Sequence, residues 1–478
     1  MSSMDNVKVV LVGLGPHAKR IYMKCFQVND MEPTLIIDLE SKKNEVESYV
    51  QENNLKTETL FVDESERNAL QLSVENQNKI IEKVKELKIT HAIISTEPKA
   101  HYAYITLFMK NGIHVLVDKP LTAPVNVSID QAMAQRIQDE YESIKDMYCE
   151  AKKNNVILQV QCQRRWHKGY QLIYKIAEET VKKYQVPITA IQISHCDGMW
   201  NMPDEFVTRE NHPYKYGYGK LFHSGYHFVD LAAWFESINY SLDRKASDNI
   251  ELFATAVRPS DFMLMVDKQN YQELFDDHKF DDIFDHLDDY HFEKYGEIDL
   301  YSLIQFKRQE KVVSTVTLNL MQNGFSRRSW NSIPEDTYKG NGRVRHEYMN
   351  MEIGPLMNIQ VHSYQSKEIK DKVEGKIGVG EVEHFDIFVY RNVDLIGGNP
   401  MEKFTINDLY QEDGNMQGYN EEAREHCFDE FIRCKVVGDP IFEHELGIQI
   451  LTKEYEALCQ KEKGLPSVVQ FPFEWKRG

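Results

Sequence analysis

Residues 7–12, Val-Lys-Val-Val-Leu-Val, form an almost unbroken apolar, β-branched run, and Gly13-Leu14-Gly15-Pro16-His17-Ala18 follows without a gap. Such a run fits a strand buried on both faces, which means a parallel sheet covered by helices. Lys19–Gln27 then reads as helix, so the segment is a strand, a tight turn and a helix carrying a GxGxxA spacing. In a dinucleotide-binding unit, Gly13 permits the turn, Gly15 lets backbone approach a pyrophosphate and Ala18 allows close helix–strand packing. The helix start adds partial positive charge. Pro16 gives up one backbone N–H, at a position in the first helical turn where proline is well tolerated. A second strand, Thr34–Ile37, ends in Asp38, about 20 residues beyond Gly15, where an acid accepts ribose hydroxyls and disfavours a 2′-phosphate. Ser41, Lys42 and Lys43 follow and are the residues that would accept such a phosphate. The expected cofactor is therefore NAD, with NADP as the open alternative.

Strand and helix keep alternating: helix over Lys79–Leu87, strand over His91–Ser95, helix over His101–Asn111, strand over His114–Val117. That pattern predicts a doubly wound parallel sheet binding its ligand at the carboxyl ends of the strands. Two such ends are polar, Ser95-Thr96-Glu97-Pro98 and Asp118-Lys119-Pro120. A lysine at the mouth of an apolar strand is open to pKa tuning by burial and neighbours; a solvated surface lysine is the alternative.

At 478 residues the chain has room for two or three domains. It carries 56 Lys and Arg against 75 Asp and Glu, a net charge of −19, which excludes nucleic-acid binding through bulk electrostatics. No segment approaches the ~20 apolar residues of a membrane span. The opening MSSMDNVKVVLVGLG lacks a basic n-region, so no secretory leader is read and a cytoplasmic location is expected. The 7 cysteines are scattered without CxxC spacing, which predicts reduced thiols and no metal site.

Taken together, the motifs resemble the glucose–fructose oxidoreductase / inositol dehydrogenase / MocA family. The resemblance is carried by GLGPHA at 13–18, Asp38, Thr96-x-Pro98-x-x-His101, and NGIHVLVDKPLT at 111–122, where Asp118 replaces the usual Glu. It continues through Gln163-Arg164-Arg165-Trp166 and Gly219-Lys220-Leu221-Phe222-His223-Ser224-Gly225-Tyr226-His227-Phe228-Val229-Asp230, and on to Phe428–Pro440 and the His444–Leu458 helix. It implies an N-terminal Rossmann domain, residues 1–164, followed by an α+β domain, residues 165–478, with an open, mostly antiparallel sheet that serves as an oligomer interface. A homodimer or homotetramer is expected. Strand-like runs at Ile188–Ser194, Ile250–Val257, Leu300–Phe306, Val312–Leu320, Met351–Ser363 and His384–Val389 agree with that sheet.

The resemblance places Lys119 and His227 on either side of the substrate carbon facing a nicotinamide. The expected cofactor contacts are Gly13, Gly15, Pro16, His17, Ala18, Asp38, Thr96, Pro98, His101 and Lys119. Arg165, Trp166, His223 and Asp230 are the expected substrate contacts. A neutral imidazole is a natural base for a hydroxyl that loses hydride, and a lysine ammonium stabilises the developing alkoxide. His223 stands where the family commonly has Asp; at i and i+4 with His227 it shares a helix face and contacts substrate, is structural, or pairs with His227 on a metal. Asp230 is read as an acceptor for the His227 ring N–H, or as a helix cap. His195, Asp197 and Trp200, and Tyr214, Tyr216 and Tyr218 in the preceding loop, are further pocket-lining candidates.

The function expected is oxidation of a secondary hydroxyl, or reduction of a ketone, on a sugar, amino sugar or cyclitol. Two alternatives remain: a redox-neutral glycosidase or lyase that oxidises its sugar transiently, and a non-catalytic dinucleotide sensor. The acidic stretch Asp261–Asp299, with Phe275, Phe280, Phe284 and His291 interleaved, reads as helix packed on the body with a solvated acidic face. Asn341-Gly342-Arg343-Val344-Arg345, after a Gly-rich loop at Lys339–Gly342, is a basic cluster that binds an anionic substrate or is surface loop.

Overall fold

A computed structural model of the chain describes residues 6–210, 212–275, 278–326, 344–366, 383–410, 419–436 and 438–475. Six strands, β1 (Val9–Val12), β2 (Leu35–Leu39), β3 (Glu58–Val62), β4 (His91–Ile94), β5 (His114–Asp118) and β6 (Leu158–Gln161), form a wholly parallel sheet. Their order is β3-β2-β1-β4-β5-β6, so the direction of winding reverses between β1 and β4. That reversal opens a crevice beyond the strands' carboxyl ends. β1 and β4 are buried along their whole length, as continuous apolar runs require. The helix expected as one piece after β1 is two, Pro16–Arg20 and Tyr22–Val28, parted at Ile21.

Nine strands make the second sheet: β7 (Ala190–Met199), β8 (Asn249–Val257), β9 (Asp299–Arg308), β10 (Lys311–Asn323), β11 (Val344–Ile353), β12 (Met357–Ser366), β13 (Glu383–Arg391), β14 (Met401–Phe404) and β15 (Val468–Pro472). The order is β14-β13-β12-β11-β7-β10-β9-β8-β15, antiparallel except for the central β7–β10 pair. Side chains alternate along β8, β9 and β10; Ile250, Leu252, Leu300, Ile304, Val316 and Leu318 face the core. Helices Tyr226–Glu236 and Glu445–Glu462 contribute to that same core. The run Met351–Ser363, expected as one strand, is instead a hairpin: the chain turns at Gly354, whose φ is +48°, and β12 returns along β11. Gly354-Pro355 is the pair that breaks the run.

The N-terminal core is completed from far along the chain. Cys427, Phe428, Phe431 and Ile432 of helix Tyr419–Ile432 pack with Val9, Leu11, Ile36, Ile93 and Leu116 on one face of the parallel sheet. The acidic stretch folds as short helices, chiefly Pro259–Met265 and Lys268–Phe275. Tyr271 and Phe280 pack around Met202, Phe262 and Phe292 around Phe206, while Asp282, Asp285 and Asp288 stay exposed. Arg258 ties both ends of this insertion to the body, donating to the Ser128 carbonyl at 2.7 Å and the Tyr295 carbonyl at 2.7 Å.

Candidate active site

At the end of β1, Gly13 has φ +89°, and a Cβ built there would stand 2.7 Å from the Ser95 carbonyl oxygen at the end of β4. Only glycine suits that close approach. Gly15 is the reverse case: a Cβ on it meets no protein atom within 4 Å, so its backbone faces open space. Asp38, at the end of β2, accepts from the Leu14 and Leu39 amides, both at 2.8 Å, which places its carboxylate against the glycine turn. Pro16 starts the first helix and Ala18 is buried beneath it. This cradle fits a dinucleotide: open backbone at Gly15, a helix start at Pro16 and an acid beside the turn. Lys42 and Lys43, the residues that would favour a 2′-phosphate, pair instead with Glu45 at 3.2 Å and Glu40 at 3.5 Å.

The end of β5 brings Asp118 and Lys119 beside this turn. Asp118 accepts from Tyr22 Oη at 2.5 Å and Ser95 Oγ at 2.7 Å, and His17 Nε2 lies 3.6 Å away. Burial alone would raise the Asp118 carboxyl; His17 and the two hydroxyls hold it below the usual carboxylate range. His101 is fully buried and bridges two strand ends, with Nδ1 2.9 Å from the Pro120 carbonyl and Nε2 3.2 Å from that of Thr96. Pro98 begins the turn that leads into the His101–Lys110 helix. Thr96, Pro98 and His101 thus shape the rim of the crevice, with His101 beneath it.

Lys119 Nζ donates to the His223 carbonyl. Burial pushes the Lys119 ammonium down to about 8 against the pull of Asp118. The segment carrying His223 is not the α-helix that i and i+4 spacing suggests. Leu221–Gly225 is a π-helical turn, closed by the Gly225 amide on the Lys220 carbonyl at 2.8 Å, and the α-helix begins at Tyr226. Such turns recur at functional sites. Glu297 fixes the turn from the insertion side: its carbonyl accepts from the Lys220 amide and its Oε1 from the Leu221 amide, both at 2.8 Å. The His223 ring packs against His212, 4.8 Å between centroids, and against Tyr214 and Tyr218. Among the described residues both His223 ring nitrogens are buried without a hydrogen-bond partner, as is His227 Nδ1. Burial and then Lys119 hold both imidazoles well below the usual histidine range, so both are neutral.

Three expected substrate contacts are engaged elsewhere. Arg165 donates to Asp230 through Nε at 2.9 Å and Nη2 at 2.8 Å, and through Nη1 to Glu443 at 2.9 Å. His444 Nδ1 lies 2.7 Å from Asp230 Oδ1. Asp230 therefore does not accept from His227; it closes a buried ion cluster joining β6's end, the histidine helix and the C-terminal helix. Trp166 Nε1 donates to Glu430 at 2.7 Å. The side chains of Arg165, Trp166 and Asp230 turn to protein partners, which sequence spacing alone does not reveal.

Lys220 escaped the sequence reading. Completely buried, it donates to Asp197 at 2.7 Å, Ser224 Oγ at 2.8 Å and the Met321 carbonyl at 2.8 Å, with His195 Nδ1 at 3.1 Å. His195 and Asp197 thus support the π-helical turn from below. Trp200 lies in the insertion's aromatic cluster and donates to Tyr271 Oη at 3.1 Å. Tyr216 lies under the Lys99 ammonium, 3.9 Å from its ring centre. Of the basic cluster, Val344 and Arg345 belong to β11, while 341–343 and the Gly-rich loop before them lie outside the described residues. Arg424, on the 419–432 helix, is the other unforeseen charge, and its field lowers the proton affinity of Lys119, His17 and His227. Among the described residues, the groups of three side chains able to share a metal are His91/His114/Cys434 and Cys162/Asp230/His444, both without His223 or His227.

Comparison with known proteins agrees with this architecture. No curated protein sequence matches the chain. Solved structures match over nearly its whole length at low identity: an oxidoreductase from Sinorhizobium meliloti (13% identity, 97% of this chain and 99% of that one, TM-score 0.54) is one. An oxidoreductase from Agrobacterium radiobacter, in complex with NAD+, L-tartaric acid and magnesium, is similar at 11% identity, covering 98% of each chain, TM-score 0.54. GenD2 from gentamicin A biosynthesis, in complex with NAD, is similar at 10% identity, covering 98% of this chain and 96% of that one, TM-score 0.52. These likenesses establish a shared fold. The family described as oxidoreductase, NAD-binding Rossmann fold, matches residues 7–162, so this N-terminal part of the chain is a Rossmann domain of the Gfo/Idh/MocA type.

Proposed function

We propose that this oxidoreductase interconverts a secondary hydroxyl and a ketone on a sugar, amino sugar or cyclitol, using NAD in preference to NADP. The observation that carries the reading is the pairing of a tuned Lys119 with neutral, unpartnered imidazoles at the mouth of β5, beside the open glycine turn. Gly13, Gly15, Pro16, His17, Ala18 and Asp38 would hold the dinucleotide, with Thr96, Pro98 and His101 shaping its nicotinamide end. Bound NAD supplies a hydride acceptor, and its reduced form a hydride donor.

The rest follows from the chain's own side chains. Lys119 retains its ammonium at neutral pH and spends one of three N–H donors on the His223 carbonyl, which leaves donors for a substrate oxygen. A developing alkoxide is stabilised there. His227, neutral at that pH, accepts the hydroxyl proton as hydride leaves the carbon, and returns it in the reverse direction; such transfer contributes about 10²–10⁴-fold. His223 offers two unused ring nitrogens to neighbouring hydroxyls.

A second reading, redox-neutral chemistry through transient sugar oxidation, is supported by His223, which stands where the resemblance places a carboxylate. A cofactor assay separates the two. Purified protein offered NAD and a panel of sugars, amino sugars and cyclitols should form NADH, and Lys119→Ala should abolish it. Substrate consumed with NAD held and no NADH released would favour the second reading; absence of bound or bindable cofactor would sink both.

The partner expected besides substrate is a second copy of the chain. Phe253, Leu303, Tyr390 and Val468 stand exposed on the second sheet, which supports a homodimer or homotetramer. Light scattering on the eluting protein tests this, and a monomer at micromolar concentration would refute it.

A further inference from the structure

We infer that Lys220 is a positioning residue for this reaction: its buried ammonium orients the His223–Ser224 peptide, whose carbonyl holds Lys119. The inference rests on the hydroxyl–ketone reading and adds a residue that acts on Lys119 from behind the π-helical turn.

A lysine shut away from water is costly unless its donors are used and a counter-charge stands beside it. Lys220 meets both conditions. Its ammonium has three N–H groups, and Asp197 Oδ2 at 2.7 Å, Ser224 Oγ at 2.8 Å and the Met321 carbonyl at 2.8 Å surround it, with His195 Nδ1 a fourth neighbour at 3.1 Å. Asp197 and His195 belong to β7 and Met321 to β10, so one ammonium fastens the turn to two paired strands of the second sheet. An apolar side chain of the same length would fill the space and join none of these groups.

Ser224 carries the effect to the site. Its hydroxyl accepts from Lys220 and donates to Asp197 Oδ2, so the side chain is held on both sides. The peptide joining His223 to Ser224 is planar, and its oxygen is the carbonyl that receives Lys119 Nζ. Holding Ser224 therefore restricts the direction from which that oxygen meets Lys119. The main chain of residue 220 is committed as well: its amide donates to the Glu297 carbonyl and its carbonyl accepts from the Gly225 amide, both at 2.8 Å. Main chain packs on main chain at each end, where a Cβ on Gly219 would stand 1.9 Å from the Glu297 carbonyl oxygen and one on Gly225 2.6 Å from that of Lys220. The turn is thus pinned at its ends by backbone and, at Ser224, by the Lys220 side chain.

The consequence falls on turnover. The His223 carbonyl takes one of the three N–H donors of Lys119, and the aim of that bond sets where the other two point. A reacting group about 1 Å out of place costs about 10²-fold in rate. Cofactor binding should be spared, because the glycine turn at Gly13 and Gly15 lies on a separate element.

Lys220→Met alone leaves Asp197 buried without its lysine and should destabilise the fold. The deciding variant is therefore Lys220→Met/Asp197→Leu, since replacing a buried ion pair by apolar residues of similar volume is often neutral for folding. Ser224→Ala is its companion: it cuts the link to the turn and leaves Lys220 paired with Asp197. Full-length wild type and both variants are compared by thermal unfolding, NADH titration, steady-state kinetics on the panel of sugars, amino sugars and cyclitols, and hydrogen exchange of the turn amides. In the double variant kcat should fall about 10–100-fold while KM and NADH affinity hold. In Ser224→Ala the same split should be weaker, about 3–10-fold, the range for losing one neutral hydrogen bond. The His223 and Gly225 amides should exchange at least about 10-fold faster in the double variant, with the parallel sheet as protected as before. Wild-type turnover in either folded variant, a KM that rises while kcat holds, or turn amides that exchange no faster would overturn the inference. No NADH from wild type on the whole panel would instead remove the hydroxyl–ketone reading, and the exchange rates would then judge the Lys220 clamp by themselves: faster supports it, unchanged overturns it.

Discussion

Two glycines two residues apart should respond oppositely to the same added methyl group. At Gly15 the backbone, φ −71° and ψ 178°, is open to any residue, and a Cβ touches nothing within 4 Å. Gly15→Ala should therefore fold without penalty and gain about 0.4–1 kcal/mol from the stiffer unfolded chain. The methyl instead occupies the approach of a pyrophosphate, so a charge-assisted contact to the turn is lost. Such a contact contributes about 1.5–3 kcal/mol, which corresponds to about 10–100-fold in NADH affinity. At Gly13 the same methyl is forced to φ +89° and to 2.7 Å from the Ser95 carbonyl. The left-handed backbone alone costs about 1–3 kcal/mol before that overlap is relieved. NADH fluorescence titration and thermal unfolding on the same samples read both effects. Gly15→Ala should melt at or above wild type and bind poorly, whereas Gly13→Ala should melt lower. A Gly15→Ala protein that binds NADH like wild type would refute this account of the turn.

Lys119→Met should lower turnover by about 10²–10⁴-fold while NADH still binds, measured by stopped-flow absorbance and fluorescence titration; joint loss of both would make Lys119 structural. The pH profile follows from the same group. Its ammonium is the working form and its pKa lies at about 8, so kcat/KM should hold through neutrality and fall as pH rises past that value. A profile still level at pH 10 would exclude that role. Asp230→Asn leaves Glu443 as the carboxylate partner of Arg165, so the cost should stay below the about 3–5 kcal/mol of a fully stranded buried charge while still lowering the urea midpoint. Because Arg165 and His444 hold the Asp230 carboxyl below its unfolded value, against the effect of burial, its stabilisation is present above about pH 4 and is lost as pH falls further.

The parallel sheet was legible because its signals are local: a buried strand, a glycine turn and a helix occupy consecutive residues, and Asp38 follows at a fixed reach. The hairpin at Gly354 was missed although Gly354-Pro355 is itself a turn-forming pair, because the strand-like residues on both sides read as one run. Nor was the π-helical turn at Leu221–Gly225, where a 3.6-residue period was the natural assumption for His223 and His227. Side-chain direction defeated the reading of Arg165 and Asp230. Residue type and proximity to the strand end suited a pocket, yet the two groups satisfy one another, and only the packing of the C-terminal helix decides that. Lys220 passed unnoticed for a similar reason, because Asp197, Ser224 and the Met321 carbonyl that receive it converge through tertiary structure alone.

The helix 419–432 has a consequence for how the protein is made. Phe428 meets Phe26 edge-on at 5.2 Å, and Phe431 meets His91 at 5.2 Å, so part of the parallel sheet's covering is encoded some 300 residues after the strands themselves. At ribosomal speeds of about 5–20 residues per second, that interval lasts on the order of 15–60 s. For that time, Ile93 and Leu116 have emerged without the aromatic residues that will bury them. The arrival of Phe428 and Phe431 closes that face.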